Sequence, residues 1–187
     1  MALTKAQKSL VKEARMIAGL AKLDFWDVEK EDKEARTPLL RIAINQMVIA
    51  EVITQYTLLD EILADLACRY YFKKKGKRFI LWRQKKFRVF VNYIMDEMFL
   101  IKKMELVHAI RPLPKEIRGT VHRVNSIRNA LAHSFFPENR REHRKVGKVL
   151  YLGKDIRTGE GLNGFHDDCH SAWVYLARRA YGSWHED

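Results

Sequence analysis

Between residues 37 and 71 an apolar side chain recurs every few positions: Ile42, Ile49, Val52, Ile53, Tyr56, Leu59, Ile62, Leu63 and Leu66. Steps of three and four repeat one face of an α-helix, which turns once every ~3.6 residues. Here the apolar residues fill more than one stripe. The long helix they predict is therefore either central to a bundle or shared with a partner. Thr37 at the cap and Pro38 at the first helical position mark its expected start, where a proline gives up an N–H that has no intrahelical partner.

Other segments carry the same period. Residues 4–23 place Ala6, Leu10, Ala14, Ile17, Ala18 and Ala21 on one face. A third helix is expected over residues 84–109, with Phe90, Ile94, Met98 and Ile101 on one side. Pro112 and Pro114 end that segment and open a fourth helix over residues 114–133. After Pro137 the pattern shortens: KVLYLGKDIRT (residues 148–158) has two brief runs around Gly153 and Lys154 and predicts a small β-hairpin. Residues 165–181 read as a last helix through Ala172, Trp173, Leu176, Ala177 and Ala180. The expected fold class is all-α, a helical bundle with a short β-hairpin before its final helix. It is organised as one domain over residues 1–187: an N-terminal helix 4–23, a core bundle 37–133, and the hairpin with its final helix 146–181.

A chain of 187 residues can bury about 70% of its unfolded surface, enough to fold without a metal or a disulfide framework. Cys68 and Cys169 stand far apart, which excludes a multi-cysteine zinc module and fits a reducing compartment. The N-terminus is interrupted by Lys5, Lys8, Lys12, Glu13 and Arg15, unlike a secretory signal. No uninterrupted apolar run approaches the ~20 residues of a membrane span. These features predict a cytoplasmic protein with no membrane partner.

Lys and Arg outnumber Asp and Glu by 35 to 23, a formal charge of +12, and the excess is uneven. Residues 24–36 carry six acids and three bases, whereas residues 69–88 carry ten bases and no acid. Residues 111–148 add ten bases against three acids. Clustered cations of this kind neutralise phosphates. Tyr70, Tyr71, Phe72, Phe79, Trp82 and Phe87 interleave the first cluster. Rings so placed either stack on the bases of single-stranded nucleic acid or belong to the core.

On the fourth helix, Ile117, Val121, Val124, Ile127 and Leu131 fall together as a buried face, and His122, Asn125, Ser126, Asn129 and His133 fall roughly opposite. A solvated face normally carries Glu, Lys and Arg, so a stripe of imidazoles, amides and a hydroxyl is unusual. Asn129 and His133 are four residues apart, near enough for the amide to orient the ring. Arg128 lies about 140° from His133 around a regular helix. Its side chain must reach round, or a second chain must supply the matching group.

Arg128-Asn129-Ala130-Leu131-Ala132-His133 resembles the R-x(4–6)-H motif of HEPN domains, including the polar residue that often follows the arginine. The resemblance spans about residues 37–181 and implies a HEPN-like helical bundle acting as an endoribonuclease without metal or other cofactor. HEPN domains dimerise and bring two motifs into one cleft. There an RNA 2′-OH attacks the adjacent phosphate, leaving a 2′,3′-cyclic phosphate and a 5′-OH. The resemblance makes His133 the general acid or base, Arg128 the phosphate-binding guanidinium, and Asn129 the residue that sets the ring or contacts RNA. Arg118, Arg123, Arg140, Arg141, Arg144 and Lys145 would line the RNA path. The implied partners are RNA, a second copy of the chain, and an antitoxin or other regulatory protein of a toxin–antitoxin or phage-defence system. Phe135 stands where toxins paired with a nucleotidyltransferase carry tyrosine, so no hydroxyl is available for nucleotidylation there.

Two other readings stay open: a non-catalytic helical dimer that binds nucleic acid or protein, and a structural protein whose polar stripe forms the dimer seam. His166-Asp167-Asp168-Cys169-His170 also resembles H-E-x-x-H with aspartate in the glutamate position. Both histidines could face one metal there, but no third ligand is evident. The alternative for the same residues is helix-start acids beside surface histidines.

Overall fold

A computed structural model of the chain describes residues 33–72, 83–132 and 148–182. The helix expected over residues 4–23, residues 73–82 of the first basic stretch, and His133, Phe135, Arg140, Arg141, Arg144 and Lys145 lie outside the described residues. Of the described residues 82% are helical, which establishes the all-α class. Tertiary contacts group the chain into two compact units, Met1–Ala50 and Glu51–Asp187.

Helix α1 (Lys33–Phe72) begins upstream of its expected cap. Thr37 is not the N-cap, and Pro38 lies inside the helix rather than at its first position. The proline costs the i−4 bond to the Glu34 carbonyl. Lys33, Glu34, Thr37 and Pro38 are all exposed, so water can reach this part of the backbone. In the first unit the described residues are 33–50, with Ala43, Asn45 and Val48 buried.

Among the described residues α1 is long and apolar enough to cross a membrane by length and composition. Its apolar residues do not form one uninterrupted run. Asn45, Gln46 and Gln55 break the run without adding charge, and Glu51 is the single charged residue between Arg41 and Asp60. In the second unit α1 buries Val52, Leu59, Leu63 and Ala67 against protein. Its side chains there meet each of the other described helices of that unit, Phe72 against Phe87, Asp60 against Lys103, Tyr56 against Arg128 and Glu51 against His166.

The third predicted helix is divided. Helix α2 (Lys85–Phe90) runs into a π-turn (Val91–Met95), and α3 (Leu100–Ile110) follows after an interruption at residues 96–99. Neither Gly nor Pro stands at the break, and the cause is phase. Phe87, Val91 and Met95 are buried at four-residue steps. Continuing that stripe would turn Phe99 inward and leave Leu100 about 140° from Met95. The interruption resets the phase, so that Leu100, Met104 and Val107 are buried and Phe99 is exposed.

Helix α4 (Lys115–Ala132) keeps the predicted fourth helix within its expected span. Its entry is fixed by His108 Nδ1, which accepts from the Leu113 amide at 2.8 Å. The hairpin is formed by β1 (Leu150–Tyr151) and β2 (Lys154–Asp155), antiparallel, pairing Leu150 with Asp155 and Tyr151 with Lys154. Its turn is Leu152-Gly153, one residue before the expected centre. Both residues have positive φ, 48° and 84°, the geometry of a two-residue primed turn. Glycine takes it freely; leucine does so at a cost.

Helix α5 (Gly159–Tyr181) starts six residues earlier than the periodicity predicts. Thr158 caps it, its Oγ1 accepting from the Gly161 amide at 3.1 Å. Gly161 lies flush against β2, where an added Cβ would stand 2.0 Å from the Asp155 carbonyl oxygen. The glycine-rich start reads locally as a loop, and close packing on the hairpin makes it helix.

Candidate functional site

The buried face of α4 comprises Thr120, Val121, Val124, Ile127, Ala130 and Leu131, with Ile117 half-buried. Burial of that face turns the polar stripe outward. His122 and Ser126 are exposed, Asn125 and Asn129 half-buried. Ser126 Oγ donates to the His122 carbonyl at 3.0 Å, bonding back to the preceding turn.

Arg128 reaches round toward α1 instead of along the stripe. Its guanidinium carbon sits 5.0 Å from the centroid of the Tyr56 ring, a cation–π contact worth about 0.5–2 kcal/mol. Nη1 donates to Asn129 Oδ1 at 3.2 Å. The Asn129 carbonyl oxygen therefore holds the arginine, leaving the amide NH2 as the group available to an imidazole. Arg128 Nε is shielded and has no hydrogen-bond partner among the described residues.

Of the two described residues expected on the RNA path, Arg118 is half-buried, with its Nε shielded and unpartnered among the described residues. Arg123 is tied into the fold. It donates to Thr120 Oγ1 at 3.0 Å and to the Tyr151 hydroxyl at 3.4 Å, and lies 3.6 Å from Asp168 Oδ2. Tyr151 in turn donates to Asp168 at 2.7 Å. We therefore assign Arg123 to joining α4, the hairpin and α5, because its charge is already matched by Asp168. Burial first, then the bond to Asp168, pushes the Tyr151 phenol above its ordinary value, against the opposing pull of Arg123.

A second polar cluster lies where α1 meets α5. Glu51 Oε1 stands 2.7 Å from His166 Nδ1 and accepts from Gln55 Nε2 at 2.8 Å. Burial raises the Glu51 carboxyl, but the bonds from His166 and Gln55 and the nearby imidazole charge outweigh it and leave the group below its ordinary value. The His170 ring lies parallel to that of His166, with centroids 6.3 Å apart and planes 3° apart. Both histidines sit in the middle of α5, not at a helix start, so helix-start stabilisation does not describe the neighbouring acids. Among the described residues no group of three or more His, Cys, Asp or Glu side chains is gathered in a geometry that holds a metal ion. Cys169 between them points into the core. Burial, then the Asp168 and Glu51 carboxylates, push its thiol up to about 12, while Arg123 pulls the other way.

Sequence reasoning found His166 and His170 by their spacing and missed Glu51 and Gln55. The available signal was a lone carboxylate in an otherwise uncharged stretch of helix. Such a group is retained at partial burial only with a partner.

The chain matches no protein-family model, no curated protein and no solved structure.

Proposed function

We propose that this chain is a metal-independent endoribonuclease of a toxin or defence system, acting in the cytoplasm as a homodimer with a composite, HEPN-like site. The observation that carries the reading is the setting of Arg128. Its guanidinium is held between the Asn129 oxygen and the Tyr56 ring, beside an outward stripe of His122, Asn125 and Ser126, with Nε unpartnered among the described residues. A fixed planar cation at the rim of a polar helix face suits a phosphate.

In the proposed reaction the RNA 2′-oxygen bonds to the adjacent phosphorus and the bond from phosphorus to the 5′-oxygen breaks. One imidazole, His133, takes the 2′ proton, and a protonated one returns a proton to the leaving oxygen; a dimer supplies both. Arg128 neutralises the charge that grows on the non-bridging oxygens. Asn129 positions the ring or contacts RNA, and Arg118, Arg140, Arg141, Arg144 and Lys145 supply cations along the backbone. Histidine is suited to both proton transfers near neutral pH. An antitoxin or other regulatory protein would restrain the activity.

The test is single-stranded RNA incubated with wild-type protein and with His133→Ala in EDTA, followed by identification of the new ends. The reading expects 2′,3′-cyclic phosphate and 5′-hydroxyl ends, and a loss of about 10²–10⁴-fold in the variant, the usual worth of a general acid or base. Salt-sensitive RNA binding that leaves the RNA intact, at concentrations where the chain is dimeric, would replace the ribonuclease with a binding module.

A further inference from the structure

The cluster between α1 and α5 has no part in the ribonuclease reading, yet its geometry is that of a prepared imidazole. Glu51 carries two donors, Gln55 Nε2 at 2.8 Å and His166 Nδ1 at 2.7 Å. An ionised carboxylate only accepts, so the proton of the neutral His166 ring belongs on Nδ1. The Gln55 amide nitrogen lies 3.3 Å from that same Nδ1, but with Nδ1 protonated toward the nearer carboxylate oxygen it has no lone pair there to donate to. His166 Nε2 is thereby left with its lone pair free, and the ring is half exposed.

One turn further along α5, four residues on and about 40° around the helix, stands His170. It too is exposed, and its ring lies parallel to that of His166 at 6.3 Å. No hydrogen bond to a described residue holds the His170 ring, so it is free to turn toward a shared ligand.

We propose that His166 and His170 form a two-point chelate for a divalent transition-metal ion of the zinc class, with Glu51 as the outer partner that fixes the His166 tautomer. Two histidines at i and i+4 on one helix face supply adjacent imidazole ligands. A carboxylate accepting from the far ring nitrogen is the usual companion of a metal-bound histidine, orienting it and raising its basicity. Imidazole selects zinc, copper and nickel over magnesium and calcium, whose ligands are oxygens. With two protein ligands, water fills the remaining positions. The site is separate from Arg128 and the polar stripe of α4, and cleavage of RNA in EDTA does not bear on it.

The experiment is a Zn²⁺ titration of the full chain against a chromophoric chelator, repeated for Glu51→Gln, His170→Ala and the double variant His166→Ala/His170→Ala. Thermal melting of each variant in EDTA serves as the check on folding. The expected result is saturable binding of one Zn²⁺ per chain with a rise in melting temperature. Glu51→Gln should weaken binding about 10–100-fold, as loss of such an outer partner does, and His170→Ala should weaken it further. His170 makes no hydrogen bond to a described residue that its removal would break, so His170→Ala should melt in EDTA as the wild type does. Absence of saturable Zn²⁺ binding by the wild type would overturn the proposal. So would undiminished binding by the double variant, since the ligands would then lie among the other histidines, His108, His122, His133, His143 and His185.

Discussion

Lys103 and Asp60 join α3 to α1 through an ion pair at 2.5 Å, and the two ends of the pair are unequally buried. The lysine side chain is 5% exposed and the aspartate 24%. That inequality predicts which partner is costly to remove. Asp60→Ala leaves an ammonium almost without water on a helix whose Leu100, Met104 and Val107 are buried as well. Stranding a fully buried charge costs about 3–5 kcal/mol. Because Asp60 itself reaches solvent, screening has already weakened the pair, and the loss should be about 2–3 kcal/mol. Lys103→Met keeps the apolar stem in place and strands only an aspartate that water can reach, so it should cost less than about 1 kcal/mol. The double variant should resemble Lys103→Met, so the coupling should equal the Asp60→Ala loss, about 2–3 kcal/mol. Urea unfolding followed by circular dichroism measures all three. In thermal melting Asp60→Ala should fall about 5–10 °C and Lys103→Met no more than about 4 °C. Equal losses, or a larger loss for Lys103→Met, would refute the argument from burial.

Three further outcomes follow from single contacts. Gly161→Ala places a methyl 2.0 Å from the Asp155 carbonyl oxygen; it should force α5 off the hairpin and cost about 1–3 kcal/mol or more, read from denaturant midpoints. The Tyr151 phenol is held above its ordinary value, so its stabilising effect is complete below a pH of about 10 and declines as the pH rises beyond it. Wild-type protein should therefore lose stability in alkali more steeply than Tyr151→Phe, and parallel pH profiles would contradict this. Cys169 is buried and its thiol is pushed up to about 12, so near pH 8 only about one thiol in 10⁴ ionises. Cys68 is buried as well. A thiol reagent should find both cysteines silent until the protein unfolds, and rapid reaction of the native chain would show the burial to be wrong.

What the sequence determined by itself is what depends on near neighbours. Steps of three and four residues located α1, α4 and α5, because a helix buries one face whatever it packs against. The same periodicity sent Ile117, Val121, Val124, Ile127 and Leu131 inward and the His122–Asn125–Ser126–Asn129 stripe outward. Turn chemistry at Gly153 announced the hairpin, since few residues accept a positive φ. The helix break at residues 96–99 left no composition signal. It exists because Met95 and Leu100 are both needed in one core, and no regular helix turns both residues inward. The early start of α5 follows from the fit of Gly161 against Asp155, a contact with another element. The partners of the polar groups were equally a matter of tertiary structure. Arg123 finds Tyr151 and Asp168, Arg128 finds Tyr56, and His166 finds Glu51, more than a hundred positions away. Periodicity says which face a side chain occupies; only the packing of one element on another says whom it meets there, and in this protein that meeting decides which charges are matched and which imidazole is prepared.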